Sequence, residues 1–382
     1  MAACQRVKLS EVITQNTDIE RITNTKSEHY ITLALYGKGA RERHIKDEKY
    51  PVPFLGYRVT AGQFIYSRID ARNGAYGIIG KSLDGFVVSK DFPVYNIDTS
   101  KILPQFLLRS VLSRGFVEQV KQSSFGATNR MRIKEEVFEN YYISLPSLEV
   151  QKLIVDRLGR VSAVIASREK EVTLLDELVK ARFIELFGDP VYNSKRLPIQ
   201  RLCKLGSLDR GRSQHRPRND PKLLNGPYPL IQTGEVASAG LYITKYKNTY
   251  SELGLRQSKM WSAGTLCITI AANIAQTAIL TFDACFPDSV VGFLPNDSIN
   301  AIYMHYWFGF FQKILEKQAP QVAQKNINLK ILSELNVIVP TQEKQEQFVA
   351  FVEQTDKSKV AIQKALDEAQ LLFGSLMQKY FG

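Results

Sequence analysis

The sequence lacks the short motifs that mark many enzymes. Its 382 residues contain no GxxxxGK[ST] phosphate loop, no HExxH, no GxSxG and no NPPY-like tetrapeptide of the kind that amino-methyltransferases use. The four histidines are isolated from one another: His29, His44, His215 and His305. We therefore expect no ATP hydrolysis, no metal site and no active site in this chain.

Cysteine is also scarce. Cys4, Cys203, Cys267 and Cys285 form no CxxC pair, so the sequence predicts neither a disulfide framework nor a zinc knuckle. The first residues, MAACQRVKLSEV, lack the apolar core of a signal peptide. Both features favour a reducing, cytoplasmic setting.

No hydrophobic run predicts a membrane helix. The nearest candidate is TLCITIAANIAQTAILTF at 265–282, which Asn273 and Gln276 interrupt and which is rich in β-branched residues. Such a run is more typical of two buried β-strands, and we expect no membrane partner.

The sequence does contain an internal repeat. LPSLEVQKLIVDRL at 145–158 matches VPTQEKQEQFVAFV at 339–352, and the same offset then holds without a gap to the Phe-Gly pairs at 187–188 and 381–382. The preceding segments at 62–79 and 264–280 match more loosely, and each predicts short strands. We interpret the pattern as an internal duplication.

Both repeated segments are predicted to be long helices. Ser147 and Thr341 occupy N-cap positions, and Gly188-Asp189-Pro190 predicts the end of the first helix. At 1.5 Å per residue each helix would be about 60 Å long. Apolar residues recur at alternating intervals of four and three, the a/d pattern of a coiled coil. This stripe, the seam, comprises Ile154, Leu158, Val161, Ile165, Val172, Leu175, Val179, Phe348, Val352, Ile362, Leu366 and Phe373.

A seam of this length needs a partner helix. The economical partner is the other copy in the same chain, which would give an antiparallel pair; pairing of like helices between two chains is the alternative. The predicted class is α+β with a pseudo-two-fold duplication. Its predicted order is a mixed α/β domain (1–146), a helix (147–188), a second mixed α/β domain (189–340) and a second helix (341–382).

The net charge of +12 is unevenly distributed. Segment 147–188 has seven basic and seven acidic residues, and segment 341–382 has five basic and six acidic residues. The positive charge therefore lies on the two globular segments, where we expect a polyanion to bind.

Candidate nucleic-acid contacts are concentrated in two basic stretches, LDRGRSQHRPRND at 208–220 and the loop-like YGKGARERHIKDEKY at 36–50. Arginine can pair bidentately with guanine, and Asn or Gln with adenine, whereas lysine mostly contacts phosphate. A solvated basic loop is the alternative interpretation of the first stretch. The candidates from the two stretches are Arg210, Arg212, Gln214, Arg216, Arg218, Lys38, Arg41 and Arg43.

Further candidates lie outside these stretches. Some precede the long helices, where polar residues could contact DNA but could equally cap turns or bind a protein partner. The candidates before the helices are Arg130, Arg132, Lys325, Asn326 and Asn328. Arg72 and Asn73 follow a strand-like run and could face a groove or simply point outward, and Lys245 lies between tyrosines.

The chain resembles the specificity subunits of type I restriction-modification systems. The resemblance covers essentially the full length and rests on AQKNINLKILSELNVIVPTQEKQ (323–345), on IELFGDPV (184–191) and on the terminal MQKYFG. The first copy departs from the family pattern, since it has NRMRI at 129–133 where QKNIN is frequent.

The resemblance implies two target-recognition domains, each reading half of a split sequence in double-stranded DNA. The two helices would act as a ruler and bind two methyltransferase subunits that carry S-adenosylmethionine. Two motor-nuclease subunits, which use ATP and magnesium, can join such a complex. This chain would supply specificity without its own cofactor or chemistry.

Two other interpretations remain at this point. The chain could itself modify or cut nucleic acid, although the missing motifs argue against that. It could also be a coiled-coil adaptor whose basic domains bind RNA or an acidic protein. Tyr242, Tyr246 and Tyr250, which flank Lys245 and Lys247, are a mild sign of single-strand stacking.

Overall fold

The protein forms two compact units, each of which combines a globular domain with parts of both long helices. The structure is a computed structural model that describes residues 5–125, 132–271, 274–311, 313–314 and 327–382. Unit 1 contains Met1–Glu169 and Gln363–Gly382, and unit 2 contains Lys170–Ile362. Each unit is therefore assembled from a domain, the start of the helix that follows it and the end of the other helix.

The described part of the unit 1 domain is built from short strands and three short α-helices. Its main sheet has four strands in the order β2-β10-β7-β8, and β1 pairs with β11 beside the start of the long helix. The elements are β1 Gln5–Lys8, β2 Ile13–Gln15, β3 Glu20–Ile22, β4 Ile31–Ala34, β5 Gly39–Glu42, β6 Phe54–Arg58, β7 Phe64–Tyr66, β8 Tyr76–Ile78, β9 Val87–Ser89, β10 Val94–Ile97, β11 Tyr142–Leu145, α1 Pro104–Val111, α2 Arg114–Ser123 and α3 Glu135–Glu139.

An aromatic cluster forms the centre of this domain. Phe64 and Tyr66 on β7 are fully buried, and the rings of Tyr66 and Phe138 stack with their centroids 4.2 Å apart. Tyr76 and Tyr95 complete the cluster from the neighbouring strands β8 and β10. Burial of such large rings anchors the sheet against α3.

The domain of unit 2 has a related layout. Its five-stranded sheet has the order β13-β21-β18-β19-β15, and β12 pairs with β22 as β1 pairs with β11 in unit 1. The elements are β12 Ile199–Arg201, β13 Gly206–Arg210, β14 Leu224–Leu230, β15 Tyr242–Ile243, β16 Asn248–Tyr250, β17 Met260–Trp261, β18 Leu266–Thr269, β19 Thr277–Leu280, β20 Ala284–Cys285, β21 Val290–Pro295, β22 Asn336–Ile338, α5 Thr233–Ser238, α6 Glu252–Arg256, α7 Ala301–Phe308 and α8 Leu329–Glu334.

Two predictions about local structure are confirmed. The apolar run at 265–282 forms β18 and β19, which pair with each other and whose residues are all buried. The matching segment at 62–79 contains the antiparallel pair β7 and β8. The stretch at 36–50 is only partly a loop, because β5 pairs with β4 in a hairpin.

The long helices are α4 Leu148–Phe187 and α9 Gln342–Phe381. The two helices begin with equivalent backbone hydrogen bonds. Gln151 N donates to Ser147 O at 2.9 Å, and Gln345 N donates to Thr341 O at 3.1 Å. Helix α4 ends at Gly188, whose φ of 76° is the left-handed conformation that glycine adopts easily.

The two helices pair antiparallel within each unit. In unit 1, Arg157 near the start of α4 donates to the hydroxyl of Tyr380 near the end of α9 at 3.0 Å. In unit 2, Phe183 near the end of α4 packs against Phe348 near the start of α9, with ring centroids 5.4 Å apart. The predicted fold class, including intrachain pairing of the helices, is confirmed.

Candidate nucleic-acid interface

The arginine-rich stretch of unit 2 begins at the end of β13 and continues through the loop at 211–220. Arg210, Arg212, Gln214, Arg216 and Arg218 are all exposed to solvent. Their side chains are therefore accessible to a large anionic ligand such as DNA.

Contacts to the loop backbone fix the shape of this loop. The Oε1 atom of Gln257 accepts from the backbone N–H groups of Gln214 at 2.8 Å and His215 at 3.1 Å. Ser258 donates to the carbonyl of Arg212 at 2.9 Å. Any side chain at Gly211 would overlap the carbonyl oxygens of the adjacent 286–287 segment. The arginines thus project from a braced loop.

Asp288 lies at the centre of this arginine cluster. Its carboxylate is 2.6 Å from Arg218 and 3.7 Å from Arg216, and its backbone carbonyl accepts a hydrogen bond from Nε of Arg210. Sequence reasoning missed Asp288, because about seventy residues separate it from the arginines along the chain. The pairing of β13 with β21 brings them together.

A pocket of about 420 Å³ adjoins the cluster. Its walls carry the amide side chains of Asn219, Gln232 and Asn248 together with Arg218, and Tyr250 contributes an apolar surface. Amides and a guanidinium offer the donors and acceptors that base edges require.

The tyrosine-rich segment at 242–250 does not form an exposed stacking surface. Tyr250 is buried and Tyr242 is half-buried, whereas Tyr246 is exposed and packs edge-on against Phe282. The candidate Lys245 is exposed beside them. This segment therefore lacks the row of accessible rings that single-strand stacking requires.

In unit 1 the structure brings the basic stretch at 36–50 next to the candidates Arg72 and Asn73. The turn of the β4–β5 hairpin contains the exposed Lys38, and the backbone N–H of Tyr36 in this turn donates to the carbonyl of Asn73 at 2.8 Å. Arg41 and Arg43, which follow in the same hairpin, are also exposed.

Arg72 and Asn73 line a pocket of about 660 Å³ in unit 1. Arg109 lines the same pocket, where it donates to Ser162 at 3.1 Å and lies over the ring of Phe373 at 5.1 Å. Burial lowers the pKa of the Arg109 guanidinium below its usual value. Sequence reasoning missed the basic residues that complete this pocket, which are Arg109, Arg114 and Lys121.

Several other candidates have local structural roles. Arg132 pairs with Asp91 at 3.3 Å. Asn328 is the N-cap of α8, and its side chain accepts from Ile331 N at 3.0 Å. Capping was one of the three roles predicted for this group of residues. The remaining candidates lie outside the described residues: Arg130, Lys325 and Asn326.

Every seam residue is buried or half-buried. The buried ones are Ile154, Leu158, Val179, Phe348, Val352 and Leu366. The half-buried ones are Val161, Ile165, Val172, Leu175, Ile362 and Phe373. In unit 2 a charged cross-helix contact accompanies the apolar seam, since Lys359 on α9 is 2.5 Å from Asp176 on α4.

Metal-binding clusters and membrane-spanning helices are both absent from the described residues. Within the described ranges, the structure has no group of three or more His, Cys, Asp or Glu side chains placed to hold a metal ion. In the same part of the chain, no helix is long and apolar enough to cross a membrane.

Comparison with known proteins places the chain in a family. The model of the type I restriction modification DNA specificity domain matches residues 6–175 and again residues 202–370. The specificity subunit of type I restriction enzyme HindI from Haemophilus influenzae is 25% identical over 152 residues. That match covers 40% of this chain and spans only a third (33%) of the relative's own length.

Longer matches cover most of the chain. The putative MjaX specificity subunit from Methanocaldococcus jannaschii is 21% identical over 328 residues, which cover 79% of this chain and 76% of that protein. The crystal structure of a type I S subunit from M. genitalium superposes with a TM-score of 0.58 and 13% identity, covering 100% of this chain and 96% of that one. At such low identity the structural match shows the fold alone.

The duplicated domains, their basic surfaces and the helix pair define a two-domain DNA-binding protein. The chain belongs to the type I restriction-modification specificity family, of whose characteristic domain it carries two copies. The resemblance to specificity subunits is therefore confirmed, and DNA sequence recognition is the function of this class.

Proposed function

We propose that each globular domain reads one half of a bipartite, gapped DNA target through the major groove. The observation that carries the proposal is the arginine cluster around Asp288, on a loop that Gln257 braces. Guanidinium groups held in fixed positions can pair bidentately with guanine, and the neighbouring amide side chains can pair with adenine. In unit 1 the hairpin with Lys38, Arg41 and Arg43 would have the corresponding role.

The paired helices would set the spacer between the two half-sites. Helices α4 and α9 each contain 40 residues, so each is about 60 Å long. One turn of DNA is about 34 Å, and half-site spacing follows the geometry of the protein that holds the reading elements. A helix pair of this length suits half-sites that lie more than one turn apart.

The outer faces of the helices would dock the methyltransferase subunits. Apolar side chains outside the seam are strongly exposed there, among them Val360, Leu371 and Leu372 on α9 and Leu174 and Leu178 on α4. Exposed apolar residues grouped on a helix face are typical of a protein interface.

In this proposal the chain contributes recognition and no chemistry. S-adenosylmethionine would be bound by two methyltransferase partners, and ATP and magnesium by two motor-nuclease partners where the complex also cuts DNA. The residues of this chain would bind and orient the duplex, so that the partner reaches the target base.

Long-read mapping of methylated adenine tests the proposed function. We compare the source genome, a deletion of this gene and the deletion complemented with the full chain. The proposal predicts a gapped, two-part motif that disappears on deletion and returns on complementation. A motif without a gap, or a motif unaffected by deletion, would contradict it.

The RNA-adaptor alternative is tested by competition. The purified complex with its methyltransferase partner is bound to a duplex that carries the mapped motif, and unlabelled single-stranded RNA or scrambled duplex is then added. The proposal predicts that neither competitor displaces the motif duplex at equal concentration. Displacement by the RNA would instead favour the adaptor.

A further inference from the structure

Asp288 contacts Arg210, Arg216 and Arg218, three of the exposed arginines of unit 2. It lies in the turn between β20 and β21, where Val290 N donates to Pro287 O at 3.0 Å. Its carboxylate contacts Arg218 at 2.6 Å and Arg216 at 3.7 Å. The carboxylate therefore neutralises part of the charge at the site where the proposed function places DNA.

The pair with Arg218 is accessible to a ligand. The side chains of Arg218 and Asp288 retain 48% and 32% of their surface exposed, so the ion pair lies at the surface of the domain. An ion pair at this exposure contributes little to folding. Stability alone therefore gives little physical reason for a carboxylate at this position.

The second arginine is held by its own loop as well as by Asp288. Nη1 of Arg216 donates to the carbonyl of Ser213 at 2.6 Å and to that of His215 at 2.8 Å. Its Nη2 faces the carboxylate of Asp288. Backbone carbonyls and the carboxylate together fix the plane of this guanidinium, which bidentate pairing with a base requires.

An arginine without a neighbouring carboxylate can bind phosphate at any DNA sequence, because phosphate contacts carry no sequence information. A carboxylate beside it changes this, since it repels phosphate oxygens while leaving the guanidinium able to reach a base edge. A base edge with a matching pair of acceptors can then pair with the oriented guanidinium while the carboxylate stays in place.

We propose that Asp288 is a specificity-determining positioning residue, which orients Arg216 and Arg218 toward base edges and suppresses their binding to phosphate at random sequence. The inference rests on the proposed function, in which duplex DNA is the ligand of this domain. Asp288 itself need not touch a base.

The test compares Asp288→Asn with wild type in the complete complex with its methyltransferase partner. Binding is measured for a random-sequence duplex and for the duplex carrying the mapped motif, between about 50 and 200 mM salt. We expect random-duplex affinity to rise about three- to tenfold. Each arginine released from Asp288 should add roughly one phosphate contact. This should steepen the slope of log affinity against log salt concentration by about 0.9 per arginine. The ratio of motif to random affinity should fall at least about tenfold.

Two variants serve as controls. Asp288→Glu keeps the charge and should restore most of the affinity ratio. Asp297→Asn removes one negative charge from an exposed position just beyond the far end of β21, roughly 20 Å along the strand, and should leave the ratio unchanged. Thermal unfolding of each complex identifies any variant that has lost its fold. If Asp288→Asn has done so, Asp288→Ser, which also removes the charge, replaces it with the same expected rise in random-duplex affinity.

The outcomes separate the inference from the proposed function. Random-duplex affinity and salt slope equal to wild type in Asp288→Asn would overturn the inference, even if motif binding weakened, because that pattern indicates a purely structural role. A wild-type complex with no preference for any gapped duplex would overturn the proposed function, and with it the inference.

Discussion

Gln151 and Gln345 make the same three hydrogen bonds in the two halves of the protein. Gln151 accepts from the backbone N–H of Leu103 at 2.8 Å and donates to the carbonyls of Lys101 and Pro146, both at 2.9 Å. Gln345 accepts from Asn300 N at 2.8 Å and donates to Ser298 O at 3.1 Å and Pro340 O at 3.0 Å. Both side chains are fully buried.

The partner N–H in each case belongs to the N-cap residue of a helix, α1 in unit 1 and α7 in unit 2. The glutamine thus joins the first turn of each long helix to its preceding domain. All three partners are backbone groups, so the contact tolerates changes of side chain in the domain. The same contact therefore holds two domains of different sequence in this chain.

Replacing either glutamine should destabilise its own unit. Alanine leaves a buried N–H and two carbonyls unpaired, which costs about 1 to 3 kcal/mol, or a fall of about 2 to 12 °C in the unfolding midpoint. Gln151→Ala should lower the calorimetric transition of unit 1, and Gln345→Ala that of unit 2. The exposed Gln347 on α9 provides the control, since its alanine variant should shift neither transition measurably. Equal shifts in all three variants would contradict this role.

The charged contact between the helices of unit 2 should make stability depend on pH. Burial raises the pKa of Asp356, the positive charge of Lys359 opposes that shift, and the nearby Asp176 adds to it. A carboxyl whose pKa is raised by folding lowers stability when it is ionised, so stability rises as the pH falls through the folded-state pKa. Removing Lys359 should raise that pKa further.

Lys359→Met is therefore expected to lower the unfolding midpoint of unit 2 by several degrees near pH 7, corresponding to about 1 to 2 kcal/mol. The deficit relative to wild type should shrink when the measurement is repeated at a lower pH, because Asp356 takes up a proton as the pH falls. Lys357→Met, at an exposed position on the same helix, is the matched control. A deficit that stays constant between the two pH values would show that Asp356 is not involved.

The proposed spacer role predicts an effect of helix length. Deleting one heptad from α4 and one from α9 shortens each helix by about 10 Å, which corresponds to roughly three base pairs. The motif mapped by adenine methylation should keep its half-site letters and lose about that many spacer positions. Inserting one heptad in each helix should lengthen the spacer equally. An unchanged spacer in both variants would refute a ruler function.

The sequence predicted the long-range architecture because duplication and heptad spacing are linear signals. The offset between the repeats located both helices, and Gly188 marked the end of the first. The sequence did not predict that each unit also contains the end of the other long helix. This arrangement depends on contacts such as that between Phe106 and Phe381, whose ring centroids are 5.1 Å apart. No local pattern encodes such a contact.

The candidate interface was predictable only in part, because residue type gives charge but not partners. The arginines of the 208–220 stretch are exposed, as a DNA-binding loop requires. Arg68, by contrast, forms an ion pair with Glu135, which follows it by 67 residues. The contact of Asp288 with the arginines depends on the pairing of β21 with β13, which the sequence did not predict. Tertiary pairing decides which basic residues remain available to a ligand.

The central claim is that two independent domains each read one half of the target. It is tested most directly by exchanging residues 189–340 for the matching segment of a relative and mapping the methylated motif. Because the three hydrogen-bond partners of the Gln345 side chain are all backbone groups of that segment, we expect the chimaera to fold. The account predicts that one half-site changes while the other half-site and the spacer stay the same. A change in both half-sites would contradict it.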